Sequence, residues 1–427
     1  MNEASGMSFL EKWEELSQFG AVSGTLGVHR EAASAADGQQ REWFETLMRS
    51  WGFRVERDAI GNLFALYEFH PGQPYVLMGS HLDSQPTAGR FDGAYGVLAA
   101  AFAAKRAIAD AQTLSLQPTK NIAVVNWFNE EGSRFKPSLM GSSVFTGKME
   151  LEDALKSRDS SGCTVREALD ALGERGSFEA LPVSSYAEIH VEQGRDMDEK
   201  GVTIGLVHAT WAAHKFELRF SGQQAHSGST LMEDRKDALL AAAQMIVAAH
   251  DVTSLFKPGQ LHTAVGEIQV YPNSPVVVAS EATILLDLRS PSTQVLEQAV
   301  QKLITGSELI CESTRTQMSI IAEHSWAQNP YQEEGVALAQ SVVEELGFTH
   351  DRVFTIAGHD STNMKDIAPT VMLFVPSVEG ISHNVAEYTR DEDLLAGLDM
   401  LSEVAKRMLV GELALESREG GSQPVNE

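Results

Sequence analysis

A histidine and two aspartates in one glycine-rich stretch have the types and spacing of metal ligands. The stretch begins at Gly79, reads GSHLDSQPTAGRFDG, and follows an apolar run, residues 75–78, that predicts a buried strand. His81 lies at the end of that strand with Asp83 on the same side, because side chains alternate along a strand. Asp92 follows in a loop that can fold back over the strand end. An imidazole ligand, a carboxylate on its other nitrogen and a second carboxylate that ligates or bridges would suit a metal. A solvated turn is the alternative for an isolated His-x-Asp.

Three further predicted strands also run into residues of ligand type. These residues are Glu130 and Glu131 after the apolar residues 122–128, His190 in the strand 186–191, and His383 after the strand 370–375. Sites in open α/β sheets gather at the carboxyl ends of strands. Each segment has an ordinary alternative: a solvated loop, a buried hydrogen-bonded histidine or a turn. Two carboxylates beside a buried strand are costly, however, unless a cation or a shared proton compensates them. We therefore interpret the four strand ends as one site.

The order of elements predicts two kinds of architecture in one chain. Strands that alternate with helices in the first half indicate an α/β fold with a mostly parallel sheet. From about residue 211 the order becomes strand-helix-strand-strand-helix-strand, which is typical of a ferredoxin-like α+β unit. The first pattern then resumes. We predict a catalytic domain made of residues 1–210 and 326–415, an inserted domain at 211–325, and a polar, disordered tail at 416–427.

Composition narrows the classes of function. The 427 residues carry a net charge of −26, which disfavours binding to nucleic acid or to an anionic membrane. An anionic substrate would need a local cationic anchor. The only cysteines, Cys163 and Cys311, give neither a disulfide framework nor a thiolate metal site, as expected for a cytoplasmic protein. The N-terminus lacks the features of a signal peptide, and we expect no stretch apolar for long enough to span a membrane.

Seven motifs give the chain a specific resemblance. They are GSHLDSQPTAGRFDG, NEEGSRF from Asn129, IHVEQG from Ile189, the QQAHSGST loop, DLRS from Asp287, AGHD from Ala357 and GISHN from Gly380. In order and spacing they resemble the hydantoinase/carbamoylase branch of the di-zinc aminoacylase and carboxypeptidase superfamily. That branch includes N-carbamoyl-L-amino-acid hydrolases, β-ureidopropionases and allantoate amidohydrolases. The similarity covers nearly the whole chain.

The resemblance implies a di-metal catalytic domain and an inserted lid and dimerisation domain. It implies that one metal is held by His81, Asp92 and His190, and the other by Asp92, Glu131 and His383. Asp92 would bridge two divalent ions, Glu130 would be the general base, and Asp83 would orient His81. Zinc is favoured, although imidazole and carboxylate ligands also accept manganese, cobalt or nickel.

The resemblance also implies contacts with the substrate. Arg289 would fork onto a substrate carboxylate, although a surface ion pair with Asp287 is the ordinary alternative. Gln193 and Gly358 match positions that contact substrate. His226 would reach into the site of a partner subunit in a homodimer and stabilise the oxyanion, although by sequence alone it is a surface loop histidine.

One departure from the family pattern concerns the substrate. Family members carry an asparagine in a segment where this chain has Pro275-Val276-Val277-Val278-Ala279, and Val276 takes the asparagine position. We expect hydrolysis of a linear C–N bond in an N-carbamoyl-L-amino acid or a related ureido acid. The alternatives are an N-acyl-amino-acid deacylase or dipeptidase of the same superfamily, and a catalytically silent metal-binding scaffold.

Overall fold

The computed structural model describes residues 3–179 and 181–413, so the predicted tail at 416–427 lies outside the described residues. The α-helices are α1 (Glu3–Leu16), α2 (Ala35–Ser50), α3 (Ala94–Gln112), α4 (Met140–Phe145), α5 (Leu151–Lys156), α6 (Val165–Leu172), α7 (Asp196–Lys200), α8 (Ala238–Asp251), α9 (Thr293–Thr314), α10 (Glu333–Leu346), α11 (Ser361–Met364) and α12 (Asp391–Leu409). The strands are β1 (Arg54–Arg57), β2 (Leu63–Tyr67), β3 (Tyr75–His81), β4 (Asn121–Trp127), β5 (Val183–Val191), β6 (Ile204–Thr210), β7 (Ala212–Ser221), β8 (Ala225–His226), β9 (His262–Tyr271), β10 (Val277–Val278), β11 (Glu281–Ser290), β12 (Gln317–Trp326), β13 (Asn329–Pro330), β14 (His350–Thr355) and β15 (Thr370–Val375).

The chain divides into two compact units. Unit 1 comprises Met1–His208 and Tyr331–Glu427, and unit 2 comprises Ala209–Pro330. The predicted insertion, residues 211–325, lies within unit 2.

Unit 1 is built around a mixed sheet whose centre is parallel. Its strands lie in the order β1-β2-β4-β3-β5-β15-β6, with β14 also paired to β6. The pairs β4–β3, β3–β5 and β5–β15 are parallel, so these four strands end at the same edge. Every residue of β3, β4 and β15 is buried, as expected for a sheet covered on both faces. The prediction of an α/β fold with a mostly parallel central sheet is confirmed.

Helix α3 packs on this sheet through small side chains. The stretch from Ala94 to Ala104 is buried throughout and is mostly alanine, which lets the helix approach the strands closely. Helix α12 lies against α3 in the same apolar core. The packing of α3 thereby fixes the loop that precedes this helix, and that loop carries Asp92.

Unit 2 is an antiparallel sheet covered on one face by two helices. The strand order is β12-β7-β11-β9, and the connections through α8 and α9 give the predicted strand-helix-strand-strand-helix-strand sequence. On β11 the residues Ile284, Leu286 and Leu288 are buried in the core of the unit, and alternation leaves Asp287 and Arg289 on the opposite face. Arg289 therefore lies on the face of the sheet that the helices leave uncovered.

One sequence expectation needs correction. Residues Ala238–Leu255 form an 18-residue helical stretch that is long and apolar enough, by length and composition, to cross a membrane. The stretch comprises α8 and the 3-10 turn that follows it. In the structure, Ala238, Ala242 and Met245 on one face of α8 pack into the core of unit 2. The apolar composition arises because this alanine-rich face is buried and much of the other face is apolar as well.

Candidate metal centre

The four parallel strand ends of unit 1 bring the predicted ligands together. His81 is the last residue of β3, and His190 is the second-last residue of β5. Glu130 and Glu131 follow β4, and His383 lies in the loop after β15. The registers His81↔Trp127 and Phe374↔His190 align these ends along one edge of the sheet. The geometry expected of a site at a carboxyl edge is therefore present in this unit.

Two groups of potential ligand atoms share one residue. His81, Asp92 and His190 form the first group, and Asp92, Glu131 and His383 form the second. Within each group the ligand atoms all lie within 4.8 Å of one another. Asp92 Oδ1 lies 3.1 Å from His190 Nε2, and Asp92 Oδ2 lies 3.3 Å from His383 Nε2. The two oxygens of one carboxylate thus serve the two groups.

The hydrogen bonds of His81 and His190 fix which ring nitrogen carries a proton in the neutral imidazole. His81 Nδ1 lies 2.9 Å from the carbonyl oxygen of Asp83, and His190 Nδ1 lies 2.9 Å from the carbonyl oxygen of Val191. A carbonyl only accepts, so each Nδ1 is the donor and each Nε2 carries the lone pair of the ring. The lone pair of His190 Nε2 accepts the backbone N–H of Gly93 at 2.9 Å. His81 Nε2 is buried without a hydrogen-bond partner among the described residues, and both Nε2 atoms face Asp92.

That arrangement fits a divalent cation. The lone pair of His81 Nε2 has no donor among the described residues and faces the carboxylate of Asp92, and the two repel unless a proton or a cation lies between them. Zinc in proteins is typically bound by imidazole nitrogens and carboxylate oxygens. The other ring nitrogen of each imidazole typically donates to a backbone carbonyl or a carboxylate, as Nδ1 does here. Glycine at 93 permits the approach: its φ is +64°, and a Cβ there would lie 2.3 Å from the His81 ring.

Asp83 holds His81 through a different atom from the one expected. The sequence predicted its carboxylate as the partner of the imidazole, but the backbone carbonyl of Asp83 takes that position, and Oδ1 is 3.8 Å from Nδ1. The carboxylate instead accepts the backbone N–H groups of Glu130 and Glu131, each at 3.3 Å. Asp83 therefore orients His81 with its main chain and fixes the two glutamates with its side chain.

Glu130 lies beside the first ligand group. Its Oε2 is 3.4 Å from His81 Nε2, and the residue is 7% exposed. Burial raises the pKa of Glu130 well above its ordinary value; His81 opposes the shift, and the nearby carboxylates Asp360, Glu131 and Asp92 add to it. Burial and Asp92 also raise the pKa of Glu131 to about 7. Clustered buried carboxyls of this kind are typical of catalytic centres.

Gln193, a predicted substrate contact, touches the second ligand group. Its Nε2 donates to Asp92 Oδ2 at 2.8 Å and lies 3.4 Å from His383 Nε2. Ser382 also donates to Asp92 Oδ2, at 3.3 Å. Gly358, the other predicted contact in this unit, is exposed and directly precedes the buried His359.

Three residues near the ligands had no predicted role. His359 is buried against the His190 ring, with 4.5 Å between centroids, and its Nε2 has no hydrogen-bond partner among the described residues. Gln85 holds Glu131 through its backbone N–H and its side-chain Nε2, at 3.1 and 2.9 Å from the carboxylate oxygens. Glu387 accepts the backbone N–H groups of Phe91 and Asp92. The AGHD, SQP and SHNVAEY segments contain these residues, but no local pattern distinguishes them.

His226 lies in unit 2, in a short ribbon formed by β8 and β10. It pairs with Val277, and the carbonyl of Val276 accepts the N–H of Ser227 at 3.0 Å. His226 is exposed, and its Nδ1 accepts the backbone N–H groups of Gly228 and Ser229 at 3.0 and 3.1 Å. In the neutral ring the proton is therefore on Nε2, which makes that atom a hydrogen-bond donor.

Arg289 is engaged with Asp287 on the uncovered face of the unit 2 sheet. Its Nε and Nη2 donate to the Asp287 carboxylate, with Nη2 at 2.8 Å from Oδ2. Lys215 lies 3.7 Å from the same carboxylate. The ion pair with Asp287, which was the ordinary alternative for Arg289, is therefore present. The Arg289 side chain is 30% exposed.

Comparison with known proteins agrees with this fold and site. Residues 77–407 match the peptidase family M20/M25/M40. A Mycolicibacterium smegmatis protein whose name goes no further than hydrolase is 52% identical over 95% of this chain and 93% of its own length. An N-carbamoyl-L-amino-acid amidohydrolase of Rhizobium meliloti is 32% identical over 91% of this chain and 94% of its own length. An allantoate amidohydrolase of Bacillus subtilis is 31% identical over 92% of this chain and 96% of its own length. A crystal structure of a hydantoinase/carbamoylase family amidase from Burkholderia vietnamiensis superposes with a TM-score of 0.86 at 31% identity, covering 96% of this chain and 98% of that one.

The chain is an enzyme of the amidohydrolase type that acts on linear amide or ureide bonds. It belongs to peptidase family M20, in the group of carbamoylases and allantoate amidohydrolases. This family is metal-dependent, and the chain carries a matching group of candidate metal ligands.

Proposed function

We propose that the chain hydrolyses the linear C–N bond of an N-carbamoyl-L-amino acid or a related ureido acid with the help of two divalent metal ions. The observation that carries the proposal is the pair of ligand groups that share Asp92, with Glu130 beside them. His81, Asp92 and His190 would hold one ion, and Asp92, Glu131 and His383 the other. Zinc suits these ligands, and manganese, cobalt and nickel are the competing metals.

Bound metal ions lower the pKa of water toward neutrality and polarise a carbonyl group. In this mechanism Glu130 is the general base and then the general acid. Its carboxylate takes a proton from the attacking water and delivers it to the leaving nitrogen as the C–N bond breaks. Burial supports this role because it moves the pKa of Glu130 upward, toward the pH at which a carboxyl group can both accept and return a proton.

Two residues of unit 2 would bind the substrate. His226 would donate from Nε2 to the oxyanion of the tetrahedral intermediate, which its hydrogen bonds at Nδ1 favour. Arg289 would exchange its contact with Asp287 for the substrate carboxylate, and Lys215 would then remain beside Asp287. Such an anchor would offset the repulsion between an anionic substrate and a chain of net charge −26.

We further propose that the protein is a cytoplasmic homodimer in which His226 serves the site of the partner subunit. Unit 2 has features that support an association surface. Among the described residues, strand β9 lies at an edge of the antiparallel sheet, and edge strands are positions where a second chain can pair. Helix α8 exposes Leu239, Leu240 and Val247 at 40%, 45% and 58%. Exposed apolar side chains grouped on one helix are typical of protein interfaces.

A panel of substrates tests the proposed reaction. Metal-reconstituted protein is assayed with N-carbamoyl-L-amino acids, the matching N-acetyl-L-amino acids and the matching dipeptides. We expect the highest kcat/KM with a carbamoyl substrate and loss of activity after chelation. A higher kcat/KM with an acetyl or peptidyl substrate would instead establish a deacylase or dipeptidase, and no metal-dependent hydrolysis would contradict the proposal.

A further inference from the structure

Glu387 connects the loop of one proposed ligand to the loop of another. It lies after β15, four positions beyond His383, and is fully buried. A single carboxylate oxygen, Oε1, accepts the backbone N–H of Phe91 at 3.0 Å and that of Asp92 at 3.1 Å. The side chain thereby fixes the backbone of Asp92 from the segment that carries His383.

The fit around Glu387 is close. A Cβ at Gly89 would lie 2.2 Å from the Glu387 carboxyl group, so the loop before Asp92 lies directly on this side chain. A Cβ at Gly27 would lie 2.5 Å from Val385, two positions before Glu387. The 27–28 segment is in turn bonded to the loop, because Val28 and Ala88 exchange backbone hydrogen bonds at 2.8 and 2.9 Å. The segment that carries Glu387 therefore packs closely against two backbone segments, and the carboxyl group itself lies on the loop before Asp92.

We propose that Glu387 is a positioning residue for Asp92, which it holds where the carboxylate can serve both ligand groups. The inference rests on the proposed function, since it concerns metal binding by Asp92. A bridging carboxylate must direct its oxygens to two sides at once, and Oδ1 and Oδ2 already lie near His190 and His383 respectively. The hydrogen bonds to the backbone at Phe91 and Asp92 fix the position from which that carboxylate projects. Partners of this kind around a metal ligand commonly control metal affinity.

The alternative is that Glu387 stabilises the fold without affecting the metals. The two possibilities differ in metal affinity, because a purely structural anchor would change the melting temperature alone. They also differ in the expected effect of Glu387→Gln, because the side-chain carbonyl oxygen of glutamine can still accept both N–H groups. Asp58 offers a matched control. Its Oδ1 accepts the backbone N–H groups of Ile60 and Asn62 at 3.1 and 2.8 Å, and none of its hydrogen bonds among the described residues goes to a proposed ligand.

The test is Zn²⁺ titration of metal-stripped protein against a chromogenic chelator, with the melting temperature measured on the same samples. We expect Glu387→Ala to weaken Zn²⁺ binding about 10- to 100-fold, the usual effect of losing such a partner. We expect Glu387→Gln to stay within about threefold of the parent, since the acceptor is retained. Asp58→Ala should lower the melting temperature and leave Zn²⁺ affinity unchanged.

Each outcome decides the inference. Parental Zn²⁺ affinity in Glu387→Ala would overturn it while leaving the proposed function intact, and so would a Glu387→Gln variant as weak as Glu387→Ala. Failure of the unsubstituted chain to bind Zn²⁺ would overturn both. If Glu387→Ala does not fold, Gly89→Ala carries the test, because the added methyl group displaces the Glu387 carboxyl: weakened Zn²⁺ binding supports the inference and parental binding overturns it.

Discussion

The carboxylate of Asp92 lies against the imidazole of His383, with 3.3 Å between Oδ2 and Nε2. Asp92 precedes α3, whereas His383 comes from the loop after β15, so the contact joins distant parts of unit 1. The other oxygen of Asp92 lies 3.1 Å from His190 Nε2. A single side chain thereby links the two ligand groups.

Glu130→Gln tests the general base. The amide fills the same space but cannot take a proton, so we expect kcat to fall by about two to four decades with metal content unchanged. Glu192→Gln is the matched control, because Glu192 also follows a central strand and burial raises its pKa to about 7. Steady-state kinetics and elemental analysis of both variants make the measurement. Activity of Glu130→Gln within a few-fold of the parent would show that another group is the base.

Arg289→Ala tests the carboxylate anchor. A charged bidentate contact contributes roughly 1.5–3 kcal/mol, so we expect KM to rise about 10- to 150-fold for a substrate with a free carboxylate. The corresponding substrate amide should be affected far less. Arg219→Ala is the control, since Arg219 lies on the same uncovered face and is paired with Glu281 at 3.7 Å. An equal loss on acid and amide substrates would mean that Arg289 acts through its ion pair with Asp287.

His226→Ala tests whether the active site is built from two chains. Losing one donor to a developing oxyanion costs roughly 2.7–4 kcal/mol, so the variant should be nearly inactive. In a heterodimer of His226→Ala and Glu130→Gln chains, one site would keep both residues and the other would lack both. Subunit exchange should then restore up to about half of the parental activity per heterodimer, as two-fold symmetry implies.

The control for this complementation is each variant subjected to exchange alone, which should stay inactive. Heterodimer formation is verified with two different affinity tags. Verified heterodimers without activity would rule out action of His226 across the interface.

The sequence predicted most of the proposed ligands at the ends of apolar strands, and the structure brings these strand ends together; Asp92, in the loop before α3, is the exception. His81 ends β3 and His190 lies near the end of β5. Because the strands run parallel, their carboxyl ends lie at one edge of the sheet. The strand β14 was missed because its residues, HDRVFT, are mostly polar and partly exposed, which weakens the alternation that reveals a strand. The strand β6 was also absent from the prediction, although its residues IGLVHAT are largely apolar.

Atom-level contacts were beyond the sequence. Nothing in His-x-Asp distinguishes the carbonyl of Asp83 from its carboxylate as the partner of His81 Nδ1, because both are two residues away. Glu387 illustrates the same limit over a long range. Its contact with Phe91 and Asp92 depends on how two loops meet in space, and no periodic pattern encodes that meeting.

Metal stoichiometry tests the central claim, a two-metal centre bridged by Asp92, most directly. Elemental analysis of zinc-reconstituted protein should give about two ions per parental chain, about one for His383→Ala and almost none for Asp92→Ala. The His383 variant loses one ligand of the second group only, whereas the Asp92 variant loses a ligand of both groups. Circular dichroism spectra that match the parent would establish that all three proteins are folded. A parental chain with about one bound ion or fewer, or a His383→Ala variant with parental metal content, would contradict the account.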